Sequence, residues 1–304
     1  MRTLSNLTIY LVISLYSIFA FPSDSHTEIL LPTENHRTLP FDIVKGYIFL
    51  SGKVAEQSGG FMFDTGTPFS FLLNNHYLPL KLDHFVGSGK AGSIQGGVTR
   101  ELKLYIHQDV GTIKLGQIKF MHVGALQSTN LEFMSNMGSD GLRTDNLGFV
   151  GMGLFRQYEF VIDYSSKTLD VYRIKKSGEP FIAHIDAKDV VATLPFRLAK
   201  HMPIVTINID GIKIEGLLDT GVLGEVTLTP ETQRILENSG KLKKQGGYYF
   251  LEGLNYGGIA LDTKTPSIST GDSNTMRLGY NMLSHYRTVW NYKKQTVTLL
   301  KLKK

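Results

Sequence analysis

The chain has 304 residues, of which 42% are hydrophobic and 19% are charged, and its formal net charge is +5. This length fits two domains or one large all-β domain, and the 31 glycines favour short strands and turns over long solvated helices. The basic residues form no stripe interleaved with aromatic residues, so we expect no nucleic-acid partner. The absence of cysteine excludes disulfide bonds, thiolate zinc sites and a cysteine nucleophile.

The N-terminal segment has the pattern of a secretory signal. Arg2 precedes an uncharged apolar stretch at residues 7–21, which is shorter than the roughly 20 residues that a membrane span needs. We therefore expect residues 1–23 to be a signal peptide and the protein to be exported, to a periplasm or to the extracellular space. An uncleaved segment would instead anchor the protein to a membrane, whereas no stable membrane span is expected after processing.

The rest of the chain contains an internal repeat. A segment that starts Leu-Pro-Phe at Leu39 ends in Asp-Thr-Gly at residues 64–66, and a second such segment runs from Leu194 to residues 219–221. Matched positions lie 155 residues apart and need no gap. A second matched pair of segments starts at Val150 and Leu278, 128 positions apart, so the first half is longer by 27 residues. Duplication is indicated, and fused halves are expected to pack with approximate two-fold symmetry.

We therefore predict an N-terminal lobe at residues 36–175, a polar linker at 176–192 and a C-terminal lobe at 193–304. One short helix is predicted in residues 229–240, because Thr and Pro stand at its start and Gly at its end. Residues 153–159 and 281–287 resemble one or two helical turns, and all other segments are typical of strands and turns. The predicted fold class is all-β, with two similar lobes and a site between them.

The two Asp-Thr-Gly units carry the predicted chemistry. Each Asp follows an apolar strand, the Gly permits a sharp turn and close backbone approach, and the Thr hydroxyl can donate to a carbonyl across an interface. Two such loops facing each other bring Asp64 and Asp219 together. Since two close carboxylates cannot both ionise cheaply, they share a proton and can act as acid and base at one pH.

The sequence resembles the retropepsin-like aspartic protease clan, over roughly residues 36–304. The resemblance rests on "MFDTG" and "LLDTG" and on the closing segments "FVG" (149–151) and "RLG" (277–279). A fused pair without cysteines is most similar to the single-chain, bacterial exported aspartyl proteases of this type. The resemblance implies catalytic Asp64 and Asp219, and an active-site loop that is supported by Thr65, Gly66, Thr67, Thr220 and Gly221.

Two departures from the family pattern bear on the site. Arg277 occupies a normally apolar position, which we expect to loosen the second closing segment. Thr67 follows the first Asp-Thr-Gly, but Val222 follows the second, and only a hydroxyl can hydrogen-bond the carboxylate and lower its pKa. We therefore expect Asp64 to be the more readily ionised carboxyl and the working pH to lie between strongly acidic and neutral.

Further features of the sequence concern a flap over the site, the core and metal binding. Gly-rich residues 85–97 are a candidate flap over the site, with an ordinary hairpin as the alternative, and residues 245–253 with Tyr248 or Tyr249 are the second-half counterpart. The phenylalanines that surround the first triad are expected to lie in the core. No His spacing typical of a metal site occurs, so we expect no metal and no organic cofactor.

The predicted function is an aspartic endopeptidase that binds an extended polypeptide substrate and acts as a monomer. Two alternatives stay open. One is a catalytically silent peptide-binding protein on the same fold, and the other is an obligate dimer whose halves pair between chains.

Overall fold

The computed structural model describes residues 29–30, 35–67, 69–82, 84–92, 99–120, 126–135, 141–155, 158–199, 202–223, 225–245, 248–256, 259–263, 267–268 and 276–303. The predicted signal peptide at residues 1–23 lies outside these ranges. In the described part of the chain, every helix is too short or too polar to cross a bilayer.

The described residues are arranged mainly in strands. The strands of the first half are β1 (Ile29–Leu30), β2 (His36–Val44), β3 (Tyr47–Val54), β4 (Gln57–Asp64), β5 (Phe71–Asn74), β6 (Phe85–Gly92), β7 (Thr99–His107), β8 (Ile113–Leu115), β9 (Ile118–Phe120), β10 (Leu126–Thr129), β11 (Asn146–Gly151), β12 (Tyr158–Asp163) and β13 (Thr168–Arg173). Those of the second half are β14 (Val190–Ala199), β15 (Met202–Ile209), β16 (Ile212–Leu218), β17 (Val226–Leu228), β18 (Leu242–Gln245), β19 (Tyr248–Tyr256), β20 (Ile259–Thr263), β21 (Ser267–Ile268), β22 (Met276–Leu278), β23 (Arg287–Asn291) and β24 (Thr296–Leu300). The helices are α1 (Glu132–Ser135), α2 (Met152–Phe155), α3 (Pro230–Asn238) and α4 (Tyr280–Leu283), and a 3₁₀ turn covers Ala187–Asp189.

The two halves share one strand order. In the first, β3 pairs antiparallel with β4, β4 parallel with β11, β11 antiparallel with β5, and β5 parallel with β10. In the second, β15, β16, β22, β17 and β21 follow in the same order and with the same directions. The chain therefore forms two all-β lobes of matching topology, as the internal repeat predicts.

A six-stranded antiparallel sheet joins the lobes, in the order β2, β13, β12, β23, β24 and β14. Its centre is the contact between β12 and β23, where Val161 lies opposite its own repeat counterpart, Val289. The outer strands follow the same symmetry, since Pro40 pairs with Thr168 and Pro195 with Thr296. An approximate two-fold axis thus passes through the middle of this interlobe sheet.

The hydrophobic pattern of the strands explains how this sheet is held. Along β14, Ala192, Leu194 and Phe196 point into the core while their neighbours stay half-buried or exposed, which is the period-two alternation of a half-buried strand. At the sheet centre Trp290 is fully buried and stacks on Phe160, with ring centroids 5.8 Å apart. One continuous apolar core runs through both lobes.

The predicted helix in residues 229–240 is confirmed as α3. Thr229 caps it by accepting a hydrogen bond from the Thr232 backbone N–H, Pro230 occupies its first turn and Gly240 follows its end with a φ of 71°. The helical turns predicted near residues 153–159 and 281–287 are α2 and α4. Helix α1 has no counterpart among the predictions from sequence.

Candidate active site

The first Asp-Thr-Gly loop begins where β4 ends. Phe61 and Phe63 of this strand are completely buried, which fixes the end of the strand against the core. The Asp64 carboxyl is held at both oxygens: the Gly66 N–H donates to Oδ1 at 2.7 Å and the Thr67 hydroxyl donates to Oδ2 at 2.7 Å. The loop therefore fixes the direction in which Asp64 points.

The second loop repeats half of this arrangement. It follows β16, and the Gly221 N–H donates to Asp219 Oδ1 at 2.8 Å. Val222 has no hydroxyl to donate to the other oxygen. Instead, the Arg277 guanidinium lies on that side, with its Nε 4.0 Å from Asp219 Oδ2. The two carboxyls are thus held by different groups.

The two loops interlock through their threonines. The Thr65 backbone N–H donates to the Thr220 hydroxyl, and the Thr220 N–H donates to the Thr65 hydroxyl, both at 3.0 Å. Each hydroxyl also donates a hydrogen bond across the interface. The Thr65 hydroxyl donates to the Leu218 carbonyl at 3.1 Å, and the Thr220 hydroxyl donates to the Phe63 carbonyl at 3.3 Å. Both threonines are 1% exposed, so these four hydrogen bonds are shielded from water.

Replacing Thr220 by Val should destabilise the protein by about 1–3 kcal/mol, because the buried Thr65 N–H and the Phe63 carbonyl both lose their partner. Thr220→Ser keeps the hydroxyl and should keep most of the stability. Urea unfolding of the two variants beside the parent chain measures the difference. Equal midpoints for the Val and Ser variants would show that the interlock contributes nothing measurable.

The glycines of the two loops show how closely the carboxyls approach. A methyl group built on Gly66 would lie 3.0 Å from both carboxylate oxygens of Asp219, and one on Gly221 would lie 2.8 Å from Asp64 Oδ1. Each loop glycine therefore faces the carboxyl of the other loop, and only a residue without a side chain leaves both carboxyls in this position.

This proximity changes the acidity of Asp64. Burial, followed by the negative charge of Asp219, raises the pKa of Asp64 to about 7, against the smaller lowering effect of the Thr67 and Gly66 hydrogen bonds. The raised pKa of Asp64 runs against the expectation that this carboxyl ionises readily. Thr67 does donate to it, but that one hydrogen bond is outweighed by burial and by the neighbouring carboxylate.

The closing segments support the loops from behind. The Met152 N–H donates to the Thr67 carbonyl at 2.9 Å, and in the second half the Tyr280 N–H donates to the Val222 carbonyl at 2.7 Å. β22 is paired on both sides, with Arg277 opposite Leu217 and Thr227. Arg277 therefore does not loosen this segment, contrary to expectation.

Beside the first loop lies an apolar cluster that was not predicted from sequence. We define the first-lobe apolar cluster by its buried members Tyr47, Phe49, Met62, Leu131 and Met134 and by Phe149 and Leu223, which pack against it. Leu223 follows the second Asp-Thr-Gly loop, so the cluster extends across the lobe boundary. The repeat alone could have pointed to Phe149, because Phe149 is the counterpart of Arg277.

The flap candidates are partly described. Residues 85–92 form β6, which pairs with β7 as one arm of a hairpin, while the remaining residues of the 85–97 candidate lie outside the described ranges. In the second candidate, the Tyr249 hydroxyl accepts a hydrogen bond from Gln233 of α3 at 3.1 Å, and Tyr248 is 64% exposed. Phe61, Phe63 and Phe71 lie in the core, as predicted, and Phe69 is half-buried.

Comparison with solved structures bears on the fold. The chain is similar to an aspartic proteinase from Irpex lacteus, with a TM-score of 0.52 and 10% sequence identity over 88% of this chain and 98% of that one. No family model and no curated protein matches the sequence. At this identity the likeness shows the fold alone, and the predicted all-β, two-lobed architecture of the pepsin-like aspartic proteinases is confirmed.

Proposed function

We propose that the protein is an aspartic endopeptidase in which Asp64 and Asp219 hydrolyse peptide bonds together. The observation that carries this proposal is that the two carboxyls lie close together on interlocked loops. The carboxyl of Asp64 has a pKa of about 7 in this arrangement. A structural ion pair needs opposite charges, whereas two acids facing each other are costly unless they share a proton. Such an arrangement serves acid–base chemistry on a bound water.

The proposed mechanism gives the two acids different roles. Asp64 holds the proton below about pH 7, and Asp219, which has the Arg277 guanidinium beside it, takes the role of the base. Asp219 accepts a proton from the water as the water oxygen bonds to the peptide carbonyl carbon. Asp64 donates its proton to the carbonyl oxygen. The amide nitrogen then takes the proton from Asp219 as the carbon–nitrogen bond breaks. One hydroxyl of the gem-diol intermediate returns its proton to Asp64 as the carboxyl product forms, so the pair again holds one proton.

The substrate class follows from the position of the dyad between two lobes. An extended polypeptide can lie across the site and bind through its backbone, with side chains alternating toward the two lobes. Phe149, which is half-buried and packs against the first-lobe apolar cluster, offers an apolar side chain on β11, the strand that pairs with the strand of Asp64. The protein's partner is thus proposed to be an unfolded or extended polypeptide.

Cleavage of a denatured protein by the purified chain, followed by mass spectrometry of the products, tests this function. Internal cuts that depend on both aspartates support an endopeptidase. Saturable peptide binding without cleavage at any pH between 3 and 8 would overturn the enzyme proposal and favour the silent peptide-binding alternative.

The pH dependence gives a separate prediction. The value of kcat/KM should fall as the pH rises through about 7, because the ionised Asp64 can no longer donate a proton. Thr67→Val removes a hydrogen bond that lowers the Asp64 pKa, so this alkaline limb should move to higher pH. A pH profile that keeps rising above pH 8 in the parent chain contradicts the assignment of Asp64 as the acid.

We also propose that the chain is a single-chain protease of the retropepsin type that is exported and active as a monomer. The matched loops within one chain support the single-chain form, and the apolar segment after Arg2 supports export. Sedimentation of the active protein tests the monomeric state, since an obligate dimer would sediment with twice the mass of one chain. Such a dimer would also lose activity on dilution. N-terminal sequencing of the protein recovered outside the producing cells tests cleavage of the signal.

A further inference from the structure

Arg277 stands at the edge of the dyad as a partly exposed cation. In β22, its neighbours Met276 and Leu278 are completely buried, whereas the Arg277 side chain is 40% exposed on the opposite face. Its Nε lies 4.0 Å from Asp219 Oδ2, which is too long for a direct hydrogen bond. The guanidinium carries five N–H donors, so this distant contact leaves it able to bind another acceptor.

The repeat counterpart of the cationic Arg277 is the apolar residue Phe149. Phe149 pairs with Met62 in the first lobe, as Arg277 pairs with Leu217 in the second, and Phe149 packs against the first-lobe apolar cluster. The two sides of the site therefore differ in charge. The first lobe presents an apolar side chain, and the second presents a guanidinium. An apolar substrate side chain would remove water from that guanidinium without supplying a hydrogen-bond acceptor in its place.

We propose that Arg277 is a specificity-determining residue that binds an acidic side chain of the substrate next to the bond that is cut. This inference rests on the proposed function and names its substrate class: polypeptides in which the scissile bond has an apolar residue on one side and Asp or Glu on the other. The two flanking side chains of an extended peptide point to opposite sides, so one meets the lobe of Phe149 and the other the lobe of Arg277.

The chemistry favours a carboxylate over other polar groups. A guanidinium pairs with a carboxylate through two parallel charge-assisted hydrogen bonds. A neutral amide cannot form this pair, and the positive charge of a substrate lysine would be repelled by the guanidinium. At a partly exposed site such a pair should be worth a discrimination of about 10- to 100-fold in kcat/KM. The negative charge of Asp219 opposes the incoming carboxylate, and Arg277 lies where it offsets that repulsion.

The test uses a peptide series of one length with an apolar residue fixed on one side of the bond and Glu, Gln, Leu or Lys on the other, in both orders. Assays at about pH 6 keep the substrate Glu ionised and Asp64 protonated. In one of the two orders, Glu should exceed Gln by about 10-fold or more in kcat/KM, and Lys should be the poorest.

Variants connect the preference to one side chain. Arg277→Leu should remove the Glu preference and favour Leu, Arg277→Glu should reverse it toward Lys, and Arg277→Lys should retain part of it. Arg197→Gln removes an exposed arginine of β14 that already pairs with Glu215 of β16, and it should leave the series unchanged. Thermal melting of each variant checks that it is folded.

The outcomes separate this inference from the proposed function. Two results would overturn the role of Arg277 without affecting the proposed protease function. One is cleavage of the series with equal kcat/KM for Glu, Gln and Lys in both orders, and the other is a Glu preference that survives Arg277→Leu. Absence of cleavage of every peptide and of denatured protein overturns the proposed function itself.

Discussion

Asp64→Asn and Asp219→Asn should each abolish peptide hydrolysis, with a loss in kcat of at least about 10²–10⁴-fold from acid–base chemistry alone. An amide at either position can neither share the proton nor accept one from water. The substitution keeps the size of the side chain, and the oxygen that accepts the Gly66 or Gly221 N–H can remain in place. Cleavage of a quenched fluorescent peptide measures the loss.

A matched control separates lost chemistry from a general effect of the substitution. Asp109 is an exposed aspartate whose Oδ1 also accepts a backbone N–H two residues ahead, from Gly111 at 2.7 Å. Asp109→Asn should therefore leave activity unchanged. If either dyad variant kept more than a tenth of the parent activity, the two carboxyls could not be the acid and the base.

The same Asp64→Asn variant should be more stable than the parent chain above pH 7. Folding raises the pKa of Asp64 from 3.8 to about 7, so between these values the folded state holds a proton that the unfolded state has released. The free energy of unfolding of the parent therefore falls as the pH rises, by on the order of 4 kcal/mol in total. Asparagine does not ionise and avoids this loss.

Urea unfolding at pH 4 and pH 8 measures the effect. The stability difference between Asp64→Asn and the parent should grow in favour of the variant from the lower to the higher pH. Asp145 is a control of opposite sign, because its hydrogen bonds with Arg143 lower its pKa, and Asp145→Asn should lose stability at pH 8. A constant difference between Asp64→Asn and the parent at both pH values would contradict the raised pKa.

Much of this architecture could be predicted from the sequence because duplication leaves a record in it. The equal spacing of the two Asp-Thr-Gly units indicated two facing loops, and capping residues located α3. The direct pairing of Val161 with Val289 could not be predicted, since strand partners distant in sequence are chosen by packing of the whole fold. Helix α1 is four residues long, too short for a periodic pattern, and unlike the equally short α2 and α4 it does not lie in one of the repeated segments.

The acidity of the dyad shows a different limit of sequence reasoning. Thr67 gave a correct local contact but not the acidity of Asp64, because the hydrogen bond from Thr67 is one of several opposing effects on the Asp64 pKa. The larger effects, burial and the nearby Asp219, depend on how the lobes meet. Arg277 was recognised as unusual, but its distance from Asp219 follows from the register of β22 against β16.

The correspondence of Phe149 to Arg277 across the pseudo-two-fold has an evolutionary consequence. In a homodimer built from identical halves, any mutation of a cleft residue appears twice, so both sides of the cleft must change together. Fusion into one gene frees each copy to diverge, while the reciprocal threonine bonds keep the shared centre constant. A fused chain can therefore demand different substrate side chains upstream and downstream of the cut, which the two identical sides of a symmetric homodimer cannot do.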